Sequence, residues 1–416
     1  MSPEELRLLV MPESLELIEQ HSFDDPADFA MRCQGRRDIP VRAVAEQLAC
    51  RRKAAKKLPE LSRKPMLYTA QTLEQASGEP AAAYKASILS GDRLIDLSGG
   101  LGIDAMFLSR SFREVVYCER DPVLAELAAY NFRLFDIRNI TIRSGDGPAI
   151  LKEFPDNHFD WLFVDPCRRK GGRRSVGLAA CSPDVLSVHD LLLRKALHIM
   201  VKASPALEPA GLRQQLPSLA RIDVVSVGGE CRETLLWLEQ STVPALPVHR
   251  HAVVLPKGGG DPVRVTGTGF EPRSEAVAVR KFVYEPDPAI IRAGLTAKLA
   301  EMFSFGYVNT SVDYLTADTL PGSFPGKAFR VVDQEGCSPK TLRTFLRRHA
   351  IVSASVQRRN FPLSPETIRK RFRLGESESR YLFFTKDCHG RSLCIYAVRA
   401  DRAAPLGQAR NEVPGY

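Results

Sequence analysis

The chain has 416 residues and 44% hydrophobic content, more than one core can organise, so two or three domains are expected. No apolar run reaches the roughly 20 residues of a membrane span, and MSPEELRLLVMPES lacks a signal-peptide layout, which predicts a cytoplasmic protein with no membrane partner. Nine cysteines without C-x-x-C or Cys/His spacing argue for reduced thiols and for no metal site. The net charge of +9 falls entirely beyond Pro288, where 20 Lys or Arg face 11 Asp or Glu; the preceding residues hold 38 of each.

In chain order, VRAVAEQLACRRKAAKKL comes first, with apolar residues at Val41, Val44, Ala45, Leu48 and Ala49 and the cluster Arg51, Arg52, Lys53, Lys56 and Lys57 behind them. The i, i+3, i+4 spacing predicts a helix in an N-terminal cap, with its basic side either solvated or touching a polyanion. Pro59 and Pro65 punctuate the chain before LEQASGEPAAAYKASIL, read as a helix leading into the first strand.

Arg93 to Ser109, RLIDLSGGLGIDAMFLS, reads as a strand, a Gly-rich turn and a helix. Asp96 closes the strand, and Ser98, Gly99, Gly100 and Gly102 form a loop whose backbone can approach a ligand closely. A second apolar run ends at Glu119, 23 residues beyond Asp96, where a carboxylate can accept from both hydroxyls of a ribose. Gly100, Gly102 and Ala105 also satisfy the dinucleotide pattern G-x-G-x-x-A, so the glycines alone leave NAD open. The acids favour S-adenosylmethionine: Asp96 before the loop and Asp104 inside the helix suit a cationic ligand and would repel a pyrophosphate. NITIR then ends near Asp146, and FDWLFVDP ends at Asp165. Acids closing four successive strands form the pattern of a class I methyltransferase, with Asp146 expected at the adenine amino group.

The chemistry is expected in DPCRRKGGRRS, at Asp165, Pro166 and Arg168. An oxygen there can accept an amine proton while the nitrogen lone pair points at a methyl carbon. Arg168, Arg169, Lys170, Arg173 and Arg174 read as a loop gripping phosphate, or else Arg168 or Arg169 pairs with Asp165 or another strand-end acid. Cys167 after Pro166 raises a thiolate route to a pyrimidine carbon, but VKASPAL offers no second cysteine. VLSVHDLLLRKAL reads as a helix, HIMVKAS as a fifth strand, Ala220–Val227 as a sixth and VHRHAVVLP as a seventh. EPDPAI marks a joint. The final stretch, with SPKTLRTFLRRH and SPETIRKRF as helices, groups Arg343, Arg347 and Arg348, then Arg358 and Arg359, then Arg369, Lys370, Arg371 and Arg373. Such a segment could neutralise phosphates of a nucleic acid, or be a solvated basic face.

LEQASGEPAAAYKA, DLSGGLGID, VDPCRRKGGRRSV, VKASPAL, VSVGGECRETLLWL, YEPDPAIIRAG and the basic end together resemble bacterial class I methyltransferases with a C-terminal THUMP-like domain. The resemblance spans nearly the whole chain. One departure is Cys167, where the family usually has a small residue. The implied fold is α/β: a Rossmann-like, seven-stranded class I methyltransferase domain at 66–256 with a helical cap at 1–65. A connecting ferredoxin-like piece at 257–318, an α+β THUMP-like domain at 319–402 and a tail at 403–416 complete it. True THUMP domains bind tRNA, so the implied activity is S-adenosylmethionine-dependent methylation of a base nitrogen in structured RNA, tRNA favoured over rRNA. A catalytically silent RNA-binding protein, or a methyltransferase of a small molecule or protein, are the alternatives.

Overall fold

A computed structural model describes residues 1–36, 38–168, 177–178, 181–240 and 247–400. The chain divides into two compact units. One holds Met1–Val227, Arg232–Val248 and Leu255–Gly260; the other holds Gly228–Cys231, His249–Val254 and the chain from Asp261 onward.

The first unit is built on seven strands: β1 (Gly91–Asp96), β2 (Phe112–Glu119), β3 (Ile140–Ser144), β4 (Phe159–Val164), β5 (Ala196–Ala203), β6 (Leu219–Val227) and β7 (Glu230–Glu239). They lie in the order β3-β2-β1-β4-β5-β7-β6. β1 pairs in parallel with β2 and β4, β2 with β3, and β4 with β5, while β7 runs antiparallel to β5. Because β1 to β4 are parallel, their carboxyl ends share one edge, and the acids that follow them meet there. VHRHAVVLP is a strand, as expected, over His249–Leu255, but a strand that was not expected, Glu230–Glu239, precedes it. Gly228 and Gly229, at φ +60° and +84°, reverse the chain directly after β6. Left-handed backbone of that kind favours glycine.

The N-terminal helices are α1 (Pro3–Leu9), α2 (Pro12–Gln20), α3 (Pro26–Arg32) and α4 (Val41–Lys57). They are followed by α5 (Ala70–Gln75), α6 (Glu79–Ile88), α7 (Ile103–Leu108) and α8 (Pro122–Leu134). The expected cap at 1–65 has no core of its own. Leu6, Ile18, Phe29, Val44 and Leu48 share one buried cluster with Ile103, Phe107, Leu127 and Phe132 of α7 and α8. Residues from the strand-loop-helix unit thus need the cap to complete their burial. Helices α9 (Gly147–Lys152), α10 (Val185–Lys195) and α11 (Leu212–Gln215) complete this unit.

The second unit opens with the antiparallel hairpin β8 (His249–Leu255) and β9 (Val263–Gly267). After β10 (Phe282–Pro286) come helices α12 (Pro288–Ala293) and α13 (Thr296–Phe303), then β11 (Gly306–Tyr307), β12 (Leu315–Ala317) and β13 (Gly326–Gly336). The chain continues through α14 (Pro339–Arg348), β14 (Ser355–Arg358), α15 (Pro365–Phe372), β15 (Arg380–Lys386) and β16 (Ser392–Arg399). One seven-stranded sheet runs β11-β12-β10-β13-β16-β15-β14. β10 pairs antiparallel with β13 from Phe282↔Arg330 to Pro286↔Gly326, so the stretches expected as separate pieces at 257–318 and 319–402 share a sheet. Leu342, Phe345 and Ile368 of α14 and α15 are buried with Leu382, Phe384 and Cys394 of β15 and β16. Phe329, Phe383 and Ile395 form another cluster with Val308 and Tyr314.

Candidate active site

β1 carries Asp96 to the carboxyl edge, 2% exposed. Its Oδ1 accepts from the Ser98 backbone N–H at 2.9 Å and from Ser98 Oγ at 3.1 Å. Ser98 Oγ in turn accepts from the backbone N–H of Asp165 at 2.6 Å, which ties the loop after β1 to the end of β4. Burial pushes the Asp96 carboxyl up to about 7; the Ser98 bonds resist that shift, and the neighbouring Asp104 and Asp165 add to it. A cation placed beside Asp96 would favour its ionised form.

The glycines divide by role. A Cβ on Gly99 would lie 2.4 Å from the Tyr117 ring, and one on Gly102 would lie 2.8 Å from the Phe132 ring. These two glycines seat the loop on the protein itself. Gly100, at φ +66°, donates its N–H to Glu119 Oε2 at 2.7 Å, and Asp121 N–H donates to Oε1 at 2.8 Å. An ionised carboxylate has about four acceptor positions. Half-buried Glu119 therefore keeps one on each oxygen, the pattern that two adjacent ribose hydroxyls require. Asp146 is exposed and caps α9, with Oδ2 accepting from Ala149 N–H at 3.2 Å. Gly147 next to it packs so closely on the Leu97 carbonyl that a Cβ would fall 2.4 Å from its oxygen, which holds Asp146 beside the loop.

Asp104 departs from expectation. Its carboxylate accepts from Ser77 Oγ at 2.8 Å and pairs with Lys85 at 3.2 Å and Lys202 at 3.4 Å. Burial opposes its charge, yet the two lysines hold its carboxyl down at about 2. The cations next to Asp104 are supplied by the chain itself, from Lys85 and Lys202. Lys85 also pairs with Glu233 of β7 at 2.5 Å. Sequence reading missed Ser77, Lys85, Lys202 and Glu233. The signal was there in part, since each lysine interrupts an apolar run, YKASIL and HIMVKA.

Asp165 is half-buried, with Pro166 buried behind it. Lys202 Nζ lies 2.5 Å from Asp165 Oδ2. Burial disfavours the Lys202 charge, but Asp165, Asp104 and Glu233 reverse the effect and raise its pKa. No described residue bonds Asp165 Oδ1, which leaves an acceptor at the sheet edge. The backbone of Cys167–Arg168 pairs with Cys181–Ser182. The side chains of Cys167 and Arg168, and the basic loop Arg169–Arg174, lie outside the described residues. Among those described, Lys202 is the cation on Asp165.

The basic cluster of α4 is largely engaged. Arg51 pairs with Glu19 at 2.6 Å, Arg52 donates to the Phe23 and Asp24 carbonyls, and Lys57 donates to the Leu73 and Glu74 carbonyls. Burial, with Lys202 and Arg232 nearby, brings the Lys57 pKa down to about 8. The carboxyl-edge donor set as a whole fits a ligand with a cationic end and a ribose: Asp96 for the charge, Glu119 for the hydroxyls, Asp146 for an amino group.

Comparison with known proteins agrees with that chemistry. Residues 326–399 match the family model described as THUMP domain-like. An uncharacterized S-adenosylmethionine-dependent methyltransferase of Mycobacterium tuberculosis is 26% identical over 352 residues, covering 82% of this chain and 92% of the relative. A crystal structure of a candidate methyltransferase from Porphyromonas gingivalis W83 superposes with a TM-score of 0.83 at 26% identity, covering 96% of this chain and all of the other. A protein-L-isoaspartate O-methyltransferase of Protochlamydia amoebophila is 34% identical over 84 residues, 20% of this chain and 40% of that protein.

Proposed function

We propose that this chain, an S-adenosylmethionine-dependent methyltransferase with a C-terminal THUMP-like domain, methylates a base nitrogen of structured RNA, tRNA before rRNA. The observation that carries the reading is Asp165, with Oδ2 held by Lys202, its backbone held by Ser98, and Oδ1 bonded by none of the described residues. When bound, S-adenosylmethionine supplies a methyl group on a positively charged sulfonium, a leaving group already activated. Asp96 and the Ser98–Gly102 loop would hold its methionine end, Glu119 its ribose and Asp146 its adenine amino group. Asp165 Oδ1 would accept a hydrogen bond from the target amine and then its proton, while Pro166 would shape the wall of the acceptor site. Alignment and proton acceptance are all that transfer to nitrogen asks of the protein.

The THUMP-like match and the excess of basic residues beyond Pro288 support RNA as the acceptor. The test is methyl transfer from labelled S-adenosylmethionine to RNA isolated from a strain lacking the protein. Asp165→Ala is expected to lose roughly a hundredfold in rate, the scale of a missing general base. Cys167→Ala is expected to keep most of it. An inactive Cys167→Ala enzyme, or a covalent complex trapped on 5-fluoropyrimidine RNA, would replace the nitrogen reading with attack by the thiolate.

A further inference from the structure

The cations of the second unit divide into two kinds. Arg348 pairs with Asp333 at 3.0 Å and Glu335 at 3.3 Å, Arg359 with Glu285 at 3.1 Å, and Arg391 with Asp387 at 2.9 Å. Arg369 pairs with Glu376, and Arg380 donates to the Ala350 carbonyl at 2.9 Å. Each of these five is engaged by a partner inside the unit. On α14, by contrast, Lys340, Arg343 and Arg347 are exposed, and no carboxylate of the described residues pairs with them. Arg330, Lys370, Arg371 and Arg373 are likewise exposed without an ion pair, but do not form a row of three at successive three- and four-residue spacings on one helix.

Helical geometry puts these three on one stripe. Spacings of three and four residues bring their Cβ atoms together, opposite the buried face of Leu342, Phe345 and Leu346. The stripe spans about 10 Å at 1.5 Å per residue. It is costly to the isolated helix on two counts. Arg343 and Arg347 are like charges at i, i+4, which repel. Lys340 sits in the first turn, where the helix dipole disfavours a cation and where no acid is present to offset it. A solvated face would ordinarily interleave acids with these bases. A polyanion laid along the stripe removes both penalties.

We propose that Lys340, Arg343 and Arg347 on α14 form the phosphate-contact row of this protein, engaging the backbone of the RNA without reading its sequence. The proposal rests on the RNA reading above and narrows it, since Arg348, Arg359, Arg369, Arg380 and Arg391 are engaged within the fold. Arginine suits the task because its planar donors match phosphate oxygens in pairs.

The experiment uses the full chain and a fluorescein-labelled, unmodified tRNA transcript, with anisotropy followed over a salt series. Arg343→Gln with Arg347→Gln removes two unpaired charges. Arg369→Gln with Arg391→Gln removes two paired ones and controls for net charge. The first pair is expected to weaken binding roughly tenfold and to flatten the slope of log affinity against log salt by about 1.4, two contacts at about 0.7 each. The control pair is expected to leave the slope unchanged. Equal effects of the two pairs, or an unchanged slope in the first, overturn the proposal while leaving RNA binding in place. A wild-type chain that does not bind the transcript overturns the RNA reading and the proposal with it. Thermal unfolding of each variant, with the buried face of α14 untouched, separates lost contacts from lost structure.

Discussion

Asp96 concentrates the electrostatics of the cofactor site. With its carboxyl pushed up to about 7 by burial, it is half protonated near neutral pH. A cationic ligand binds the ionised form better, so binding must expel a proton when the pH lies below that value. Affinity for S-adenosylmethionine should be flat above pH 7 and fall by roughly tenfold per pH unit below it. Calorimetry in buffers of different ionisation enthalpy should detect proton release near pH 6.5 and none in Asp96→Asn. An affinity indifferent to pH would show that Asp96 is not beside the ligand's charge. At this level the sequence was informative about positions and less so about partners. The acids at Asp96, Glu119, Asp146 and Asp165 stand where strand ends were expected, because an apolar run closed by an acid is a local pattern. That Asp104 answers to Lys85 and Lys202 depends on α6 and β5 arriving beside α7, a contact between residues 19 and 98 positions apart, and no local pattern encodes it.

The loop between β1 and α7 is held by contacts from the next strand and helix. Gly99→Ala would force a methyl group into Tyr117, whose hydroxyl also donates to the Gly100 carbonyl at 2.7 Å. Overpacking of that kind costs about 1–3 kcal/mol. Gly100→Ala meets only the Ser98 carbonyl at 3.7 Å and adds the strain of a left-handed alanine, about 1–2 kcal/mol. Denaturant midpoints should therefore fall for both, and Gly99→Ala should also lower cofactor affinity by displacing Tyr117 from the loop. A Gly99→Ala protein as stable as the parent would contradict the packing described. The strands show what could be read locally and what could not. β1 to β6 lie within a few residues of where apolar runs placed them. β7 was passed over because ECRETLLWLE directly follows a Gly-Gly reversal, and a hairpin of that kind inserts β7 between β5 and β6 rather than at the sheet's end.

The division into two units sets what can be removed cleanly. A chain ending at Asp287 would keep β10 and lose β13, its partner over five residue pairs. The orphaned edge of β10, with Val283 and Tyr284 fully buried in the intact protein, would then be open to pairing with other chains. Such a truncation is expected to aggregate, by light scattering, whereas ending the chain at Gly269 keeps the β8–β9 hairpin paired, removes the seven-stranded sheet entirely and should scatter less. Equal solubility would argue that β10 does not depend on β13. The joint expected at EPDPAI is therefore the end of a strand inside a sheet. Its prolines were read as a linker because proline marks strand ends and linkers alike. At the largest scale the proposed role of the carboxyl-edge site is to methylate RNA. The most direct measurement is mass spectrometry of nucleosides from purified tRNA and rRNA of a strain lacking the protein, compared with its parent. The account predicts that one N-methylated nucleoside disappears from the deletion strain, from tRNA rather than rRNA, and returns when the intact gene, but not one encoding Asp165→Ala, is restored. Identical nucleoside profiles in both strains would contradict it.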